Sequence, residues 1–153
     1  MDKLINIAKL IGTDKLINIV VSFSNLYGLK LINGNLPVTI NVYTMSVISA
    51  SMLMHISEKK HNLSGIYPFN KYSSYFLWYD RICAYAGIIY VFKSLYYIPD
   101  MYIFTRGLFG LLMLGISENL LENKHLFMIS HATWHLLAYN VLGRAIHNNY
   151  MIL

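Results

Sequence analysis

The sequence is poor in charged residues and in cysteine. Only 12% of its 153 residues are Asp, Glu, Lys or Arg, against about 25% in soluble globular proteins. Apolar residues make up 56% of the chain. A soluble domain with so few charges could not cover its own surface, so this composition predicts contact with lipid. The single cysteine, Cys83, excludes an intramolecular disulfide and a CxxC metal motif.

The charge that is present is mainly basic, with a formal net charge of +5. In a soluble protein a basic balance would suggest nucleic acid as a partner. Here the Lys and Arg residues lie mostly between apolar runs, as expected of loops that face anionic lipid headgroups. The predicted partner is therefore the lipid bilayer and not nucleic acid, whereas the oligomeric state is left open.

Five apolar stretches follow one another along the chain. Each approaches the roughly 20 residues that a helix needs to cross about 30 Å of hydrocarbon. The predicted fold is all-α, a polytopic transmembrane bundle of about five helices over residues 16–153. An amphipathic cytoplasmic lead-in is predicted over residues 1–15. The predicted spans are 16–32, 37–57, 75–98, 101–117 and 126–146.

Lysines predict the orientation of these spans. With five spans, the N-terminal segment, residues 58–74 and residues 118–125 fall on one side. They carry Lys3, Lys9, Lys15, Lys59, Lys60, Lys71 and Lys124, whereas the other side has Lys30 and Arg144. Basic loops are enriched on the cytoplasmic side, so the N-terminus is predicted to be cytoplasmic. The endoplasmic reticulum or another internal membrane is the expected location.

Four of the ionisable residues inside the predicted spans stand out, because such groups are costly there and are functional candidates. They are His55, Asp80, His131 and His135. Asp80 also has a simpler interpretation, an ion pair with the adjacent Arg81. The two histidines of the last span are four residues apart, so they share a helix face and can bind one ion.

Ser51 lies one turn before His55 on the same helix face. Its simpler interpretation is a packing hydroxyl bonded to a backbone carbonyl. The predicted orientation, however, places it within about 15 Å of the cytoplasmic boundary together with the four ionisable groups. Three neutral imidazoles leave one position of a tetrahedral zinc ion open for water. A nearby carboxylate could take a proton from that water, and a hydroxyl could donate to a developing oxyanion.

Ser51-x3-His55, Asp80 on the next helix and His131-x3-His135 on the last helix together resemble the signature of the CREST superfamily. That group includes alkaline ceramidases, receptors of the PAQR type and lipid-remodelling proteins of GPI-anchor maturation. The resemblance implies a zinc ion held by the three histidines, with Asp80 and Ser51 beside the bound water as catalytic residues. It also implies hydrolysis of an amide or ester bond in a membrane lipid.

The sequence departs from this family in length, because members usually have seven helices and this chain has room for about five. Its predicted function is that of a shortened zinc-dependent lipid hydrolase, similar to a ceramidase. The alternative is a non-catalytic membrane protein, receptor-like or membrane-remodelling, that zinc stabilises. A small pore is a third interpretation. His61, His125 and His147 are predicted to be solvated, with His125 as the substitute ligand.

Overall fold

The computed structural model describes residues 12–61, 63–119 and 123–150, and over these ranges its regular elements are all helical. The all-α prediction with about five helices is therefore confirmed. Of the lead-in predicted over residues 1–15, residues 1–11 lie outside the described residues, and residues 13–15 belong to the first helix. The helices are α1 (Thr13–Ser24), a 3-10 helix (Asn25–Leu31), α2 (Val38–Ser57), a short 3-10 helix (Phe69–Tyr72), α3 (Ser73–Tyr97), α4 (Met101–Asn119) and α5 (Lys124–Tyr150).

Polar side chains and proline set the helix boundaries. Pro37 immediately precedes α2, where its missing N–H needs no partner. Asp100 Oδ1 accepts a hydrogen bond from the Tyr102 amide at 2.9 Å and so caps the start of α4. Asn123 Oδ1 does the same for α5 by accepting from the Leu126 amide at 3.0 Å. These caps satisfy amides that have no partner within their own helix.

Helix α5 lies at the centre of the fold and packs against α1, α3, α4 and the first 3-10 helix. Helix α2 packs against α1, α3 and that same 3-10 helix. Two ion pairs of 2.8 Å, Lys60–Glu118 and Lys124–Asp14, join four segments at one end of the bundle. We call this the lysine end. The opposite end, where the Asp100 carboxylate pairs with Arg144 at 2.7 Å, is the Asp100 end.

The interior of the fold is unusually polar and its exterior unusually apolar. Among the described residues, buried polar and charged side chains outnumber buried apolar ones. Large apolar side chains lie instead on the outer faces of α3 and α4, where a water-soluble helix would carry polar residues. These include Trp78, Ile82, Tyr85, Ile89, Phe92, Phe104, Leu108 and Leu112.

By length and composition, α4 is the one described helix that could cross a membrane. Helices α2, α3 and α5 are longer, at 20, 25 and 27 residues. Their Ser, Thr, Asn, Tyr and His side chains lower the mean hydropathy. A membrane-spanning capacity is thus supported for one helix, and the multi-pass topology stays a prediction.

Candidate metal centre

Three histidines from two helices converge near the lysine end of the bundle. His55 lies in the last turn of α2, and His131 and His135 lie one turn apart on α5. The His55 ring centroid is 4.6 Å from that of His131 and 4.9 Å from that of His135. All three residues are at most 5% exposed. Their nitrogens lie within 4.8 Å of one another, close enough to hold a metal ion.

Each of these rings is held from outside by a hydrogen bond at Nδ1. His55 Nδ1 lies 2.9 Å from Glu58 Oε2. His131 Nδ1 lies 3.0 Å from Ser117 Oγ of α4, and His135 Nδ1 lies 2.7 Å from Ser24 Oγ of α1. Metal-binding histidines typically carry such an outer partner on the nitrogen that does not bind the metal.

The hydrogen bonds also assign the tautomer of each ring. The Ser24 hydroxyl donates to the Val21 carbonyl at 2.6 Å, and the Ser117 hydroxyl donates to the Leu114 carbonyl at 2.7 Å. A hydroxyl has one hydrogen, so both serines must accept from the histidine Nδ1–H. A carboxylate only accepts, so His55 also carries its hydrogen on Nδ1. In the neutral form of each ring, Nε2 is then left with a free lone pair.

Two of these lone pairs face each other, because His55 Nε2 and His135 Nε2 are 3.3 Å apart. Neither nitrogen has a hydrogen to share in these tautomers, so the contact is repulsive unless a cation lies between them. Three neutral imidazole nitrogens with outer partners are the donor set of a zinc site with an open fourth position. The residues present therefore fit a divalent metal ion.

Glu58 reaches His55 because the chain turns sharply after α2. Its amide donates to the His55 carbonyl at 3.3 Å, and its backbone then leaves the helical conformation, with φ −64° and ψ 132°. Asn18 of α1 fixes this turn by donating from Nδ2 to the Glu58 carbonyl at 3.1 Å. Glu58 is only 7% exposed. A buried carboxylate on a ligand histidine stabilises the bound metal and orients the ring.

Ser51 and Asp80 lie beside the three histidines. Ser51 Oγ is 3.3 Å from His135 Nε2, on the side of the ring that faces the cluster. The half-buried Asp80 carboxyl on α3 interacts with the Ser51 hydroxyl and lies within electrostatic range of His55. Among the ion pairs of the described residues, none joins Asp80 to Arg81. The Arg81 guanidinium instead lies 5.8 Å from the centre of the Trp78 ring.

The remaining histidines divide into two groups. His125 and His147 are exposed, as predicted, and His125 is not part of the cluster. The prediction that His61 is solvated is wrong, because the residue is only 4% exposed and its ring stacks on Phe127 at 4.1 Å. Burial lowers the pKa of His61 and favours its neutral form. Neither of its ring nitrogens has a hydrogen-bond partner among the described residues.

Sequence reasoning identified all three histidines but missed their outer partners. Glu58 follows His55 by three residues, a spacing that could have indicated the contact had the turn after α2 been known. Ser24 and Ser117 carry no such signal, because they lie 111 and 14 residues from their histidines and reach them only in the folded chain. No family model, curated protein or solved structure matches the chain.

Proposed function

We propose that the chain is a zinc-dependent, multi-pass membrane hydrolase that cleaves an amide or ester bond of a membrane lipid such as ceramide. His55, His131 and His135 would hold the zinc ion, as the resemblance to the CREST superfamily implies. The observation that carries the proposal is the cluster of three buried histidines, each with a ring nitrogen within 4.8 Å of a ring nitrogen of the other two. Zinc in a three-histidine site supplies Lewis acidity and an activated water.

Asp80 and Ser51 are proposed to carry the proton chemistry of the reaction. The Asp80 carboxylate takes a proton from the attacking water and later returns it to the leaving group. The Ser51 hydroxyl lies between Asp80 and His135. From there it can donate a hydrogen bond to the oxyanion that develops at the substrate carbonyl. Both residues come from helices, which hold catalytic groups more rigidly than loops do.

A lipid substrate is proposed because of the surface around this site. Large apolar side chains cover the outer faces of α3 and α4, whereas polar groups are kept inside. Contiguous apolar surface of this kind is rare on soluble monomers and suits contact with acyl chains. We propose that the helices span the bilayer with the lysine end cytoplasmic, in the endoplasmic reticulum or another internal membrane.

Metal content and lipid hydrolysis together test the proposal. Detergent-purified wild type should carry about one zinc ion per chain, because three imidazoles hold zinc firmly. His135→Ala should lose most of it, and the exposed-site control His125→Ala should retain it. Wild type should release fatty acid from ceramides or related lipids. Asp80→Asn should slow this release about 10²–10⁴-fold with zinc still bound.

A non-catalytic, zinc-stabilised scaffold is the second candidate. One observation favours it: the three histidines are nearly inaccessible, and structural zinc sites are closed whereas catalytic ones keep an open position. In this case Asp80→Asn would reduce thermal stability or zinc retention and there would be no turnover to lose. Zinc-loaded wild type that fails on a broad panel of ceramides, acyl esters and phospholipids would establish the scaffold over the enzyme.

A further inference from the structure

A second group of polar residues lies towards the Asp100 end, away from the metal centre. Helices α4 and α5 pack antiparallel: Ser117 contacts His131, Gly110 faces Trp134, and Asp100 pairs with Arg144. As the residue number falls along α4 from 117 through 110 to 100, the number of its partner on α5 rises from 131 through 134 and 137 to 144. This register places Arg106 of α4 level with Asn140 of α5.

Lys30 reaches the same level from the first 3-10 helix. Its Nζ donates to Asn140 Oδ1 at 2.9 Å, and the Tyr27 hydroxyl donates to the same oxygen at 3.2 Å. The Tyr27 hydroxyl is also within electrostatic range of both Lys30 and Arg106. Lys30 and Arg106 therefore lie at about the level of Asn140 and within electrostatic range of the same hydroxyl, and we call them the Lys30–Arg106 pair.

No ion pair among the described residues neutralises either cation. The Asp100 carboxylate, the acidic group of this end, is already occupied by Arg144 Nε at 2.7 Å and Asn148 Nδ2 at 3.0 Å. Both Lys30 and Arg106 are exposed. An aromatic ring lies beside each charge, with Lys30 Nζ 3.5 Å from the Tyr27 ring centre and Arg106 Cζ 4.3 Å from that of Tyr102.

Exposed aromatic side chains lie beside these charges. Tyr27 lies one 3-10 turn before Lys30, and Tyr102 and Phe109 lie one turn before and one turn after Arg106 on α4. A ligand that satisfies both features is amphiphilic, with an anionic group between the cations and an apolar part along the neighbouring side chains. Arg and Lys bind phosphate well, Arg through two parallel hydrogen bonds and Lys as a point charge.

We propose that the Lys30–Arg106 pair binds the phosphate of an anionic phospholipid in the leaflet opposite the metal centre. The inference rests on the proposal that the bundle spans a membrane, and it is independent of zinc and of hydrolysis. A bound lipid would lie against the surface between the first 3-10 helix and α4, both of which pack against α5.

The test uses the full chain in nanodiscs of zwitterionic phosphatidylcholine with a minor fraction of phosphatidylglycerol, and mass spectrometry of the lipid that stays bound. Wild type should enrich phosphatidylglycerol over the bulk ratio. Each basic residue near an anionic headgroup contributes about fivefold, so the double variant Lys30→Ala with Arg106→Ala should reduce enrichment about 25-fold. The exposed control Arg81→Ala, whose side chain lies against Trp78, should match wild type.

Three other outcomes would overturn the inference. Equal enrichment by wild type and the double variant would place lipid binding elsewhere. Displacement of the lipid by millimolar inorganic phosphate would identify a site for free phosphate. Failure of the chain to enter nanodiscs, seen by size-exclusion chromatography, would refute the membrane proposal as well. Zinc is measured in the same samples to distinguish the two proposals. Enrichment of phosphatidylglycerol by protein that carries no zinc would refute the hydrolase proposal and support the lipid site.

Discussion

At the residue scale, the outer hydrogen bonds of the three histidines matter as much as the histidines themselves. Imidazole binds a metal ion through a nitrogen without hydrogen, so the partner of the other nitrogen decides which atom is available. Here the outer partners are a carboxylate and two serines, and the serine hydrogens are already donated to carbonyls, so Nε2 is the free nitrogen of each neutral ring. Residues that do not contact the ion therefore orient the histidine rings of the candidate site for binding a cation.

The Glu58→Gln variant tests whether the carboxylate bonded to His55 strengthens metal binding. The amide oxygen can still accept from His55 Nδ1, but the negative charge is lost, and changes to outer partners typically weaken metal binding about 10–100-fold. We expect a weaker zinc affinity of this order, measured by competition with a chelator of known affinity. The matched control is Glu118→Gln, because Glu118 pairs with Lys60 at the surface. Equal affinities for both variants would contradict a role for Glu58.

At the scale of the elements, short 3-10 and loop segments position the helices. The first 3-10 helix passes so close to α2 and α5 that only glycine fits at residue 28. A Cβ there would lie 2.6 Å from Tyr139 Cε1 and 2.9 Å from Ile48 Cγ1. Tyr139 cannot move aside freely, because its hydroxyl donates to Asn25 at 3.0 Å.

Gly28→Ala should therefore destabilise the fold. Overpacking of a buried contact typically costs about 1–3 kcal/mol, so we expect a lower thermal unfolding temperature in detergent. Gly34→Ala is the control, since nothing lies within 4 Å of a Cβ at that position. A lower chain entropy in the unfolded state should make this control neutral or slightly stabilising. An unfolding temperature unchanged by Gly28→Ala would refute the close approach of the first 3-10 helix to α2 and α5.

Asp100, which joins the turn between α3 and α4 to α5, predicts a pH dependence. Hydrogen bonds from Asn148 and Arg144 lower its pKa from the ordinary 3.8 to about 2. A carboxylate with a lowered pKa stabilises the fold above its unfolded value and loses that contribution as the pH falls through its folded value. The contribution of Asp100 is thus complete above about pH 4 and lost towards about pH 2.

Comparison with Asp100→Asn isolates this effect. The variant keeps the shape of the side chain without its charge, so wild type should be more stable at pH 5. The difference should shrink as the pH falls from about 4 to about 2. Chemical unfolding of both proteins in detergent measures this difference, and any loss of a bound metal ion at acid pH would affect both proteins alike. A difference that does not change with pH would refute the ionised Asp100 network.

At the scale of the whole molecule, the distribution of lysines agrees with the arrangement of the helices. The segments predicted to be cytoplasmic meet at one end, joined by Lys60–Glu118 and Lys124–Asp14. The three histidines lie towards this same end. In the proposed membrane orientation, the metal centre is therefore reached from the cytoplasmic half of the bilayer.

An epitope tag inserted at Lys71, in the segment between α2 and α3, tests this orientation. Antibody or protease should reach it from the cytosolic face alone, because basic segments are retained there. A tag beside Asn35, between the first 3-10 helix and α2, should be protected until the membrane is permeabilised. Lumenal glycosylation of Asn62, which lies in an Asn-Leu-Ser acceptor sequence, would reverse the orientation.

The sequence by itself determined the helical fold, the approximate helix limits and the histidine set. Apolar runs with proline at their ends set helix lengths locally, which is why α2 begins after Pro37 and α3 ends before Pro99. The four-residue spacing of His131 and His135 is also a local property of a helix, so it could be predicted without the fold. His55 was grouped with these two histidines because the predicted topology places all three near the same membrane boundary.

Only the tertiary structure decided which groups support the histidines and which lone pairs face each other. Ser24 reaches His135 across 111 residues of sequence, and no local pattern specifies such a contact. The turn after α2 brings Glu58 back onto His55 and buries His61, which the sequence predicted to be solvated. Local periodicity specifies helices, whereas contacts between them depend on register and packing, which exist only once the chain has folded.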